Sequence, residues 1–294
     1  MRWLKELPVV FYQFTKDLFL ICDSLTILTF VIYTASVYKL LGFETALVIA
    51  IFFLVRGAGH FWALRQCDVS CQGLRFLPVL GGYIQTASGF ERRWDEGFSA
   101  IGASIWVLAS SLLAFSVYLM TGNLTCLLFS IMAFGINLVA LFPIASSFDG
   151  GIVLKSITFS LSRLLGLALM FVNIFAMPAI VYWLLSQRGP VNIVGLVPIL
   201  IDGVQKFFEE YRVISPMIPM SKLQLKKLSG SYLLIFLAFM FMPKIFGISA
   251  ISSLMQTEAI SAINIGLISL LYMSTLESNV IFFVNLKRRI FGNA

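Results

Sequence analysis

The chain has 294 residues, of which 59% are hydrophobic and only 12% charged, with a net charge of +7. A soluble domain carries about 25% charged and about 45–50% apolar residues, so this chain holds more apolar surface than a water-soluble core can hide. The composition therefore predicts an all-α integral membrane protein. The apolar runs are long and do not alternate, which argues against a barrel. Backbone groups in lipid must be satisfied within their own segment, which favours helices.

Taken in chain order, residues 1–17 are mixed and charged (Arg2, Lys5, Glu6, Lys16, Asp17). They lack the short apolar core and small-residue site of a cleavable signal peptide. A spanning helix needs roughly 20 apolar residues. Candidate spans fall at 18–38, 44–64, 99–120, 124–147, 164–185, 191–204, 231–249 and 260–284. The sixth is short enough to be re-entrant or interfacial, so the expectation is six to eight transmembrane helices. Three regions follow: 1–43 with the first span, 44–155, and 156–294 with further spans and a basic cytoplasmic loop near 205–230.

Basic residues set the orientation. With the N-terminus in the cytoplasm and all eight segments crossing, the cytoplasmic stretches hold Arg65, Arg75, Arg92, Arg93, Lys155, Arg163, Lys206, Arg212, Lys222, Lys226, Lys227 and both basic termini. Only Lys39 and Arg188 fall outside, and Arg56 and Lys244 lie within spans. The positive charge is thus a topology signal and needs no nucleic-acid partner. The polar stretch at about 205–230, with Phe207-Phe208-Glu209-Glu210-Tyr211 and then Ser221–Lys227, is basic and partly amphipathic and is expected to rest on anionic lipid, a partner site being the sharper alternative.

Four cysteines, Cys22, Cys67, Cys71 and Cys126, do not form a disulfide framework, and Cys67 and Cys71 fall in a cytoplasmic loop where thiols stay reduced. Polar residues inside spans are costly and therefore informative. They include Asp23, Arg56, His60, Asn137, Asn173 and Lys244, with Asp149 at a span end. Arg56 and His60 lie four residues apart, on one helical face. Gly57-Ala58-Gly59 between them permits close approach by another helix.

The stretch Arg56-Gly57-Ala58-Gly59-His60-Phe61-Trp62-Ala63-Leu64-Arg65 resembles the zinc helix of the site-2 protease family of intramembrane metalloproteases, written H-E-x-G-H. Gly73-Leu74-Arg75-Phe76-Leu77-Pro78-Val79-Leu80-Gly81-Gly82-Tyr83 resembles that family's G-x-x-F-x-P-x-L-G-G-Y segment. Glu96-Gly97-Phe98-Ser99-Ala100-Ile101-Gly102-Ala103-Ser104 falls where the family has an A-G-P-containing span. Asn137-Leu138-Val139-Ala140-Leu141-Phe142-Pro143-Ile144, followed by Phe148-Asp149-Gly150-Gly151, resembles its N-L-x-P-I…L-D-G-G span. The four motifs keep the family's order over 56–155. The resemblance implies a site-2-protease-like core at 44–155 and a short loop or β-hairpin near 74–86. It also implies an extended substrate segment held beside Gly81, Gly82 and Tyr83 by strand addition.

The same resemblance marks what is missing. Arg56 stands where the family has its first zinc histidine, and Gly57 where it has the general base. His60 is the only histidine in the chain. The spacing from Pro143 to Asp149, the family's third ligand, is one residue longer, and the motif asparagine falls on Ala140. A permanently protonated guanidinium repels a metal ion, and loss of the base costs about 10²–10⁴-fold in rate. Neither Cys67 nor Cys71 is placed to replace the lost ligand. No cofactor is expected, and the expected partners are lipid and a transmembrane protein segment. Arg56 is expected to occupy the metal position and pair with Asp149. The expectation is a catalytically inactive membrane protein that binds or scaffolds a transmembrane segment or partner subunit, in a bacterial cytoplasmic membrane. The alternatives are an active divergent zinc protease using His60 and Asp149, and a subunit of a transport complex.

Overall fold

A computed structural model describes residues 24–77, 81–86, 89–143, 148–186, 197–212 and 217–246. The expected first-span residues before 24, Asp23, and the expected eighth span at 260–284 lie outside the described residues. The described residues are mostly helical. The order is α1 Ser24–Leu41, α2 Phe43–Gln66, β1 Cys71–Leu77, β2 Gly81–Thr86, α3 Arg93–Thr121, α4 Leu124–Ala140, α5 Asp149–Leu161, α6 Arg163–Ser186, α7 Val197–Arg212 and α8 Lys222–Phe246. Among the described residues three helices are long and apolar enough to cross a bilayer: α2, α3, and α8 over Lys222–Met242. This is consistent with a membrane protein.

Two compact units alternate along the chain. One holds the described residues up to Gly89, Phe98–Leu138 and those from Leu234, and the other holds Phe90–Gly97 and the described residues of Val139–Leu233.

In the first unit the turns are set by glycine. Gly42 (φ 84°) and Gly122 (φ 69°) take left-handed conformations that other residues resist. Each donates its amide to the carbonyl four residues back, Tyr38 and Tyr118, closing α1 and α3. Asn123 then caps α4, its Oδ1 accepting from Thr125 N at 2.9 Å. Helix directions follow from paired contacts. Glu44 accepts from the Thr125 hydroxyl, and Asn137 accepts from Arg56 at 3.1 Å. Both contacts join residues 81 apart in sequence, so α2 and α4 run parallel. α3 runs antiparallel between them in sequence. Its Ser99 meets His60, and its Ser111 and Ser130 of α4 exchange hydroxyl-to-carbonyl bonds of 3.0 and 2.7 Å. A fully buried core of Phe52, Phe53, Ile101, Leu127, Met132 and Ile136 fills this unit.

β1 and β2 form an antiparallel pair, Leu77 opposite Gly81 and Leu74 opposite Ile84, with an irregularity between Cys71 and Gly73. The pair occurs where a loop or hairpin was expected.

Three boundaries differ from expectation. The fourth span does not continue to 147: α4 ends at Ala140, after 17 residues, and Asp149 opens a separate helix, α5, where a loop was expected. The charged stretch after 204 is helix as well, since α7 continues to Arg212 because its charges find partners inside the second unit. The expected loop also ends early. Ser221 and Gln224 form a reciprocal capping box, Gln224 N donating to Ser221 Oγ (3.3 Å) and Ser221 N to Gln224 Oε1 (2.9 Å), so α8 starts at Lys222, well before 231.

Candidate functional site

Arg56 lies ten residues before the end of α2 at Gln66, about 15 Å along the helix axis. It is buried, 6% exposed, and its Nη1 donates to Oδ1 of Asn137, which is fully buried. A guanidinium only donates, so the bond fixes the amide orientation, leaving Asn137 Nδ2 inward. That Nδ2 is buried and has no hydrogen-bond partner among the described residues.

Gly57 faces β1. A Cβ at position 57 would lie 2.7 Å from Leu74 Cδ1 and 3.0 Å from Cδ2. Leu74 is itself buried, and its carbonyl accepts a 2.6 Å bond from the Thr26 hydroxyl on α1. The hairpin thus packs a leucine into the space that a longer side chain at 57 would need.

His60 sits one turn beyond Arg56, with Nδ1 2.9 Å from the Ser99 carbonyl. A carbonyl only accepts, so Nδ1 carries the proton, and Nε2 is the basic nitrogen of the neutral ring. Trp62 packs on Phe98, ring centroids 5.8 Å apart. Below these contacts α2 and α3 touch backbone to backbone at Gly59 and Gly102.

Asp149 belongs to the second unit. It is the first residue of α5 and is buried, 2% exposed. The helix dipole favours a carboxylate there. Gly150 follows with the Leu141 and Phe142 carbonyls against it, which leaves no room for a side chain.

Gly81, Gly82 and Tyr83 lie in β2, with Gly82 opposite Phe76 and Tyr83 opposite Arg75. In a two-stranded sheet each strand keeps one edge outside the pair.

Cys67 and Cys71 are free thiols. Burial pushes the Cys71 thiol up from its ordinary value, so less of it is thiolate at neutral pH. Iodoacetamide is therefore expected to modify Cys71 more slowly than a free peptide thiol at pH 7.5, with the gap closing as pH rises. Peptide mass spectrometry of timed samples checks this. Equal rates at pH 7.5 would contradict it. Among the described residues no three of His, Cys, Asp and Glu gather closely enough to hold a metal ion.

The second unit contains a cluster that the sequence motifs did not suggest. Arg93 bonds Glu96 at 2.9 Å and Glu210 at 2.5 Å, and Lys155 meets Glu96 directly and Glu210 at 3.5 Å. The four charges alternate around a closed ring. Ser156 donates to Glu96 at 3.0 Å, and Phe159 lies 4.4 Å beneath the Arg93 guanidinium. The sequence showed only basic residues at three loops assigned to one membrane side. Of the other intramembrane candidates, Asn173 is buried in α6, and Lys244 extends over the Phe241 ring at 5.4 Å.

No family model, curated protein or solved structure matches the chain.

Proposed function

We propose that the chain is a multi-pass membrane protein with a site-2-protease-like core that has lost hydrolysis and holds a transmembrane segment or partner subunit. The observation that carries this reading is the packing of Leu74 against Gly57. On this reading Gly57, where the resemblance puts the general base, has Leu74 packed against it, and Arg56, at the first ligand position, is a buried guanidinium bonded to Asn137. A cation there opposes Zn²⁺, and one imidazole does not make a metal centre. These residues do not fit zinc. What the unit retains suits binding. β2 can take an added strand at Gly81–Tyr83, and Asn137 Nδ2 offers a buried donor that a main-chain carbonyl of the held segment would satisfy.

Orientation has support from the ion ring. Its members come from the start of α3, the middle of α5 and the end of α7, three segments that the distribution of basic residues assigns to the cytoplasm. That agreement fits the three segments lying on one side of the membrane, as a chain of six to eight spans with its N-terminus inside would place them.

One observation favours the second reading, a divergent zinc protease. A metal-bound histidine commonly donates its other ring N–H to a carbonyl, and His60 does this with Ser99. Metal analysis separates the two. Protein purified from membranes without chelator is expected to carry less than about 0.1 zinc per chain, unchanged in His60→Ala. Close to one zinc per chain, lost in His60→Ala, would replace the proposal with the protease. A photo-crosslinker at Gly82 tests the binding half in intact membranes. A specific adduct is expected, and its absence with the protein folded removes the binding role.

A further inference from the structure

α7 has its amphipathic pattern inverted. It carries Asp202, Lys206, Glu209, Glu210 and Arg212 within 16 residues and is not among the helices that qualify as spans by composition. In water such a helix turns its apolar stripe inward and its charges outward. Here Asp202, Lys206 and Glu210, at four-residue intervals, face into the second unit. Asp202 is 3% exposed and pairs with Lys206 at 3.0 Å, and Glu210 belongs to the ion ring. Phe208 and Tyr211, by contrast, are 45% and 59% exposed, with Leu200 and Val197 exposed on the same side.

The helix also stands along α6. Arg163, at the start of α6, donates to the Tyr211 carbonyl at 2.9 Å. Phe171 packs on Phe207 at 6.0 Å, and Ile174 lies against Gly203. As residue numbers rise on α6 they fall on α7, so the two are antiparallel. The exposed face of α7 is continuous with that of α6, where Phe171, Val172 and Phe175 are exposed. Val197-Pro198 opens the helix, with proline where its missing amide costs least.

We infer that the Leu200–Phe208–Tyr211 face of α7 contacts lipid acyl chains, α7 being the returning limb of a membrane hairpin with α6. The inference rests on the membrane reading above. Asp202, Lys206 and Glu210 turned inward, with Leu200, Phe208 and Tyr211 turned outward, favour an apolar outer solvent, and the exposed Glu209 and Arg212 fall in the last turn, at the boundary end. Alignment with α6 sets the depth order, Tyr211 nearest the boundary and Leu200 deepest, about 16 Å apart along the axis.

The test uses the full-length chain with Cys22, Cys67, Cys71 and Cys126 replaced by alanine, in vesicles of phosphatidylcholine and phosphatidylglycerol. Nitroxides are placed singly at Leu200→Cys, Phe208→Cys and Tyr211→Cys, with Leu113→Cys on α3 as reference. Power saturation then compares collisions with oxygen and with a nickel chelate. Oxygen should dominate at all three sites, with depth rising from Tyr211 to Leu200. Dominant nickel collisions at Leu200 and Phe208, with Leu113 in lipid, overturn the inference alone. So do low collisions with both reagents, which would mean a second copy or another protein covers the face. Equal depths at the three sites overturn the hairpin. A water-exposed Leu113 instead overturns the membrane reading itself. Gel-filtration profiles verify folding, and Val197→Cys replaces any site that fails.

Discussion

Glu96→Ala is expected to destabilise the protein by about 3–5 kcal/mol, the cost of breaking a buried ion pair from one side. Glu96 is 6% exposed and touches Arg93, Lys155 and Ser156. Its removal leaves Lys155 with only the 3.5 Å contact to Glu210 as an ion pair within the ring. It also leaves Arg93 dependent on that same carboxylate. Water does not reach these groups freely, so the loss is not screened as a surface pair would be. Glu96→Gln keeps the shape and one acceptor and should cost less. Glu209→Ala, exposed on α7 with Gln205 as its partner, should stay within about 0.5 kcal/mol. Denaturant titration in mild detergent measures all three. A Glu96→Ala midpoint equal to the parent's would show that the ring contributes nothing. Replacing Glu96 and Lys155 together by leucine and methionine should recover part of the loss, because two apolar groups leave no unpaired charge.

The second large effect is expected where α2 crosses α3. A Cβ on Gly59 would lie 2.7 Å from the Gly102 carbonyl oxygen and 2.8 Å from Ala103 Cα, and one on Gly102 would lie 2.8 Å from the Gly59 carbonyl oxygen and collide with Ala63. These neighbours are mostly backbone and cannot rotate away. Gly102→Val should therefore force the helices apart, break the His60–Ser99 bond, and cost about 3 kcal/mol or more. Gly57→Ala should be milder, because the tip of Leu74 can turn. Gly230→Ala meets nothing within 4 Å and sits in α8, so it should be neutral or stabilising by up to about 1 kcal/mol. Thermal aggregation midpoints by size exclusion give the ranking. A Gly102→Val protein as stable as Gly230→Ala would mean that the crossing is looser than these distances.

Both effects depend on contacts that sequence pattern does not display. Glycine spacing around Gly57 and Gly59 indicates that a helix can come close, but not that Gly102 is what comes. Arg56 was legible as a buried cation needing a partner. Asn137, 81 residues away, holds it through the parallel alignment of α2 and α4. Either residue alone reads only as a polar position within a span. Likewise the ring charges read singly as loop residues, because hydropathy weighs each residue by type and not by what lies opposite it.

By itself the sequence determined the solvent. Apolar content, the lengths of apolar runs and the placement of basic residues point to helices in a bilayer, since lipid admits only helices and closed barrels and these runs do not alternate. It placed a loop up to 230, whereas the Ser221–Gln224 capping box starts α8 at Lys222. Tertiary structure alone decided which way α7 turns its charged face. It likewise decided that Leu74 fills the space beside Gly57 and that four charges close into a ring. The physical reason is common to all three. Local propensity and hydropathy act along the chain, whereas burial of charge and exclusion by packing depend on groups that only folding brings together.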